Sequence, residues 1–76
     1  GVGMTEQEAK AIVLEWLKDN SKYYSPRDLF FELERRGTNI VPSNVAHAYD
    51  TLSVKTEFEL HGEFAEWGLN KEGAKG

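Results

Sequence analysis

Apolar side chains recur at helical spacing in three stretches of this chain and then switch to alternation. Ala9, Ile12, Val13, Trp16 and Leu17 form one face of a first helix running from about Glu6 to Asp19. Thr5-Glu6-Gln7-Glu8 ahead of it fits a capping box, hydroxyl at the N-cap and carboxylate three residues on. Glu6 and Lys10, one turn apart, are placed as a pair on its wet side. Ser25-Pro26-Arg27-Asp28 opens a second helix, with proline where its missing N–H costs nothing. Leu29, Phe30 and Leu33 point inward, and Arg35-Arg36-Gly37 closes it with cations and a left-handed cap. Pro42-Ser43-Asn44 starts a third helix with Val45, Ala48, Tyr49 and Leu52 on its inner side.

From Thr56 the period reads as two. A two-residue turn at His61-Gly62 pairs Leu60 with Glu63 and Phe58 with Ala65. That register places Phe58, Leu60, Ala65, Trp67 and Leu69 on one face of a hairpin. Two strands alone are marginal, so the hairpin is expected to pack on the helices. The predicted fold class is therefore α+β: a three-helix bundle followed by a two-stranded antiparallel β-hairpin. One domain is expected over residues 4–70, with 1–3 a cloning remnant and 71–76 a flexible tail.

Order and spacing together resemble the winged helix-turn-helix family of bacterial and archaeal transcription regulators. The resemblance rests on Ser25-Pro26-Arg27-Asp28-Leu29, on Val41-Pro42-Ser43-Asn44-Val45, and on Tyr49 and Leu52 at core spacing. Trp67-Gly68-Leu69-Asn70-Lys71-Glu72-Gly73 is similar to the ending common after the second wing strand. The resemblance implies a winged-helix DNA-binding module with double-stranded DNA as partner. It implies a recognition helix whose outward residues Ser43, Asn44, His47 and Asp50 meet bases or phosphates. It also implies a wing tip at His61 and Gly62 near the backbone.

Charge supplies a competing expectation. The net charge is −4, and phosphate affinity depends on Lys and Arg. No Lys or Arg occurs from Val41 to Val54, and Glu57, Glu59, Glu63 and Glu66 load the last segment. Basic groups lie on Lys22, Arg27, Arg35 and Arg36, with Phe31 between Arg27 and Arg35 at helical spacing. Phe31 either packs under Tyr23, Tyr24 or the tail, or serves as an exposed anchor on a secondary basic and aromatic surface. The alternative function is thus a winged-helix protein-interaction module that does not bind DNA, taking another protein or self-associating.

Catalysis is not expected. Ser43, His47 and Asp50 share a solvated helix face without a buried imidazole or oxyanion hole. There is no cysteine, no zinc-type histidine spacing and no glycine-rich phosphate loop, so no metal, cofactor or small-molecule substrate is expected. No apolar run reaches membrane length, and the absence of cysteine fits a cytoplasmic location.

Overall fold

In the computed structural model, which describes residues 3–35 and 40–73, four helices follow one another: α1 Glu6–Asn20, α2 Pro26–Arg35, α3 Ser43–Asp50 and α4 Val54–Gly73. Among the described residues no strand forms, so the domain is all-α rather than an α+β winged helix. Arg36, Gly37 and the expected second-helix cap lie outside the described residues, as do Gly1, Val2 and 74–76.

The first two helices begin where their caps predict, and α3 begins at Ser43, directly after Pro42, without a side-chain cap. The Thr5 hydroxyl accepts from the Glu8 N–H at 3.1 Å, and the Glu8 carboxylate accepts from the Thr5 N–H at 2.9 Å. This reciprocal pair holds the Glu8 carboxyl below its usual range, the backbone hydrogen bond first. The Ser25 hydroxyl accepts from the Asp28 N–H at 3.3 Å. α1 is the central element, with α3 and α4 packed along it and α2 touching it less. It buries Ala9, Val13, Trp16 and Leu17; α2 adds Leu29 and Leu33; α3 adds Val45, Ala48 and Tyr49. Trp16 satisfies its indole N–H by donating to the Ile40 carbonyl at 3.3 Å, which ties the segment before α3 to α1.

The correction concerns 54–73, where one long helix replaces the hairpin. The wing tip does not exist: His61 and Gly62 sit in mid-helix. Strand pairing would have set Glu57 directly opposite Glu66, a repulsive cross-strand pair. A helix sets Glu57 on the opposite side from Glu66, leaves Glu59 and Glu63 together where Lys10 meets both, and uses the good helix propensity of glutamate, at a cost of about 1 kcal/mol for each of Gly62 and Gly68. Its start is capped by Ser53, whose hydroxyl accepts from the Thr56 N–H at 3.3 Å. Its inner face is Thr56, Leu60 and Phe64, spaced one turn apart and buried. Phe58 and Leu69, placed inside by the hairpin register, are 74% and 73% exposed.

α1 fastens this helix at two points. The Ser53 N–H donates to the Glu6 carboxylate at 2.7 Å, and this bond, followed by those to the Thr56 and Ser53 hydroxyls, pulls the Glu6 carboxyl below its usual range. The Lys10 ammonium bridges Glu63 at 2.6 Å and Glu59 at 3.4 Å, one turn apart on α4. Glu6 and Lys10 therefore do not serve each other along α1; each partner lies on or just before α4. A cation between two carboxylates of one helix fixes its rotation about its own axis, and with it which apolar face turns inward.

Tyr49 fastens α3. Its hydroxyl donates to the Glu34 carboxylate of α2 in a short hydrogen bond. Burial, then that carboxylate, raises the Tyr49 hydroxyl above its ordinary 10.0. The folded protein thus holds this proton more tightly than the unfolded chain. The stabilisation is complete below about pH 10 and is lost as pH rises from there towards the folded value. Tyr49→Phe should cost about 1 kcal/mol at neutral pH. It should also flatten the loss of stability between about pH 9 and about pH 11, read from urea midpoints. An unchanged alkaline slope would show that the Tyr49 proton is not involved.

Candidate interaction groove

Where the end of α1, the start of α2 and the second half of α4 meet, they leave a groove of about 870 Å³. Ser25 capping sets Pro26 and Arg27 in the first turn of α2, at the rim. Phe30, one turn on, reaches across to α4. Its ring stacks on His61, centroids 4.1 Å apart and planes 17° apart, and meets Phe64 edge-on at 6.0 Å. Phe64 stacks in turn on Trp67 at 5.8 Å. Trp67 carries two ammonium groups, Lys71 at 5.0 Å from its centroid and Lys18 of α1 at 5.8 Å. The result is a continuous aromatic ladder, His61, Phe30, Phe64, Trp67, running between the helices and ending beneath lysines.

Charge around it is one-sided. Lys22, Arg27 and Lys71 line the groove, and among the described residues lining it none carries a carboxylate. In a chain of net charge −4 that is a local reversal of sign. Ala65, Gly68 and Leu69 complete the α4 wall. A side-chain carbon added at Gly68 would meet nothing within 4 Å, so the wall there is open. An apolar floor with cations on its rim accommodates an apolar body carrying negative charge.

The sequence-expected residues divide among separate surfaces. Ser43, Asn44, His47 and Asp50 all lie exposed on α3, as their spacing predicts, but none lines the groove. α3 itself carries no Lys or Arg, and both Glu34 and Glu57 act on its Tyr49. Of the basic set, Lys22 and Arg27 reach the groove, while Phe31 and Arg35 do not. Arg35 sits over the Phe31 ring at 5.5 Å, and Phe31 remains 57% exposed. Arg36 lies outside the described residues. His61 contributes, but as a groove residue of α4.

Phe64, Trp67, Leu69 and Lys71 carry the groove without having been singled out as a site. Their signal was present: Leu60, Phe64, Trp67 and Lys71 recur at i, i+4, i+7 and i+11, one helical face. Among the described residues no group of three or more histidine or acidic side chains could hold a metal ion, and no helix is long and apolar enough to cross a membrane. Compared with protein-family models, with curated proteins and with solved structures, the chain matches none.

Proposed function

We propose that this domain is a non-catalytic protein-interaction module of the cytoplasm that holds an acidic, amphipathic segment of a partner in the groove between α2 and α4. The observation that carries the reading is the segregation of charge: among the described residues, cations and no carboxylates line the groove that holds the aromatic ladder, on an otherwise acidic chain. An apolar segment with flanking Asp and Glu would cover the ladder and neutralise Lys22, Arg27 and Lys71. The absence of cysteine supports the compartment.

Nucleic acid is the weaker occupant for two reasons. The ladder's rings are already engaged, Phe30 with His61 and Phe64 with Trp67, so bases would have to displace existing contacts to stack. The α3 face, the surface a duplex reader would use, has no Lys or Arg for phosphate. An enclosed acyl chain is disfavoured because Lys22, Arg27, Ala65 and Leu69 are all open to solvent.

Titration with a helix-forming peptide, leucines at i, i+4 and i+7 flanked by glutamates, tests the reading. NMR shifts should concentrate at Trp67, Ala65 and Gly68. A peptide with lysines in place of the glutamates should bind at least tenfold more weakly. Arg27→Glu with Lys71→Glu should weaken the acidic peptide by about tenfold, about 1.4 kcal/mol. Random duplex DNA at low salt is the opposing arm. Salt-dependent duplex binding with shifts at Ser43, Asn44 and His47 would replace this proposal with a DNA-binding one.

A further inference from the structure

The groove differs from one end to the other. α1 and α4 run side by side in the same direction: Glu6 meets Ser53, Lys10 meets Glu59 and Glu63, and Lys18 stands over Trp67. α2 runs back along α4. Arg27 shares the groove with Lys71, Phe30 stacks on His61, and Glu34 reaches Tyr49, on which Glu57 also acts. One end of the groove therefore holds the start of α2 and the end of α4. The other holds the end of α2 and the start of α4.

Among the described residues the groove's cations gather at the first end. Lys22, Arg27 and Lys71 line it, and Lys18 joins Lys71 on Trp67. Against them, helical position alone puts one acid, Glu72, on that wall, one turn beyond Gly68. The Phe30–His61 stack closes the second end. Carboxylates stand one turn behind it on both helices, Glu34 after Phe30 and Glu57 before His61. The neighbouring charges are turned away. Asp19, Asp28 and Glu66 each stand two positions, about 160° round the helix, from the lining residues Ser21, Phe30 and Gly68. Lys55 stands at the same angle from Glu57 and acts on Glu6 instead.

We infer that the groove orients its occupant: it takes a partner segment of mixed charge, with carboxylates at one end over Lys22, Arg27 and Lys71 and cations at the other beside Glu34 and Glu57. This rests on the proposed function and narrows it. A segment acidic at both ends sets its second acidic end against Glu34 and Glu57, and like charges brought together cost affinity. From Glu57 to Lys71 α4 rises about 21 Å, so a helical segment that reaches both ends is about fourteen residues long.

Three helix-forming peptides of that length, titrated at low salt, test it. They share leucines at i, i+4 and i+7 and differ only at their ends: glutamates then lysines, glutamates at both, lysines at both. The mixed peptide should bind tightest, the doubly acidic one about fivefold more weakly and the doubly basic one weakest of all. A nitroxide at the glutamate end of the mixed peptide should broaden the amide signals of Gly68, Leu69 and Lys71. A nitroxide at its lysine end should broaden those of Glu57, Phe58 and His61. Glu57→Lys should remove most of the preference for the mixed peptide, with helical circular dichroism unchanged, and Glu57→Gln, the milder change, should narrow it. Both variants leave the peptides' own helicity as it was. Equal or tighter binding of the doubly acidic peptide, broadening at the same residues from both label positions, or a preference undiminished in Glu57→Lys would each overturn the inference. So would tighter binding of oligothymidylate, a uniform polyanion, than of the mixed peptide. Binding of the doubly acidic peptide with no preference for the mixed one removes the orientation and leaves the groove's proposed role standing. A domain that binds none of the three peptides loses both.

Discussion

Leu60→Ala should lower the unfolding free energy by about 3 kcal/mol, whereas Phe58→Ala should change it by no more than about 0.5 kcal/mol. The two residues are neighbours in the alternating pattern, and a strand would turn both to the same side. In the helix they part: Leu60 is fully buried beneath α1, and Phe58 stands in solvent. A domain of this size has a total stability of only about 5–10 kcal/mol, so the Leu60 loss would be a large fraction of it. Urea unfolding measures both. Comparable losses at the two positions would mean that the alternating face, not the helical one, is inside.

Gly62→Pro should be still more damaging. Proline in the interior of α4 removes a backbone hydrogen bond and clashes with the preceding turn, a loss of about 3 kcal/mol or more. Gly62→Ala should act in the other direction and stabilise by about 1 kcal/mol, because space around Gly62 is open and alanine is the better helix former. The sign is diagnostic. A tight hairpin turn at His61-Gly62 uses the positive φ that glycine permits, so alanine there would destabilise. Thermal unfolding of the two variants beside wild type reads the sign directly. Gly68→Ala should follow Gly62→Ala, since its surroundings are equally open.

The first two helices are legible because their starts are written in side-chain chemistry, and the third because Pro42 precedes a clear helical period. Thr5 with Glu8, and Ser25 ahead of Pro26, satisfy backbone donors locally, so sequence neighbours suffice to locate them. The fourth is ambiguous because its apolar residues fit two periods. Phe58, Leu60, Ala65, Trp67 and Leu69 alternate, while Leu60, Phe64 and Trp67 also recur by turns. Gly62 and Gly68 add apparent turn signals. What separates the readings is tertiary: the Glu6 carboxylate holding the Ser53 N–H, and Lys10 reaching Glu59 and Glu63 from 49 and 53 residues earlier.

The same cause hides most of the groove. Its cations Lys22 and Arg27 stand out in the sequence as basic residues of an acidic chain. The ladder they border forms only when Phe30 of α2 meets His61 and Phe64 of α4, which no local pattern encodes. The α3 residues show the converse. Ser43, Asn44, His47 and Asp50 are outward-facing as the period requires, yet outward placement alone confers no partner without charge of the right sign nearby.

The claim on which the groove, its proposed occupants and the energetic predictions all depend is that 54–73 is one helix packed on α1 and α2. NMR of the backbone and aromatic protons tests it most directly. The account predicts helical Cα and Cβ shifts without interruption through His61-Gly62, with nuclear Overhauser contacts from the Phe30 ring to His61 and Phe64. Extended-type shifts on both sides of Gly62, with cross-strand contacts between Phe58 and Ala65, would contradict it.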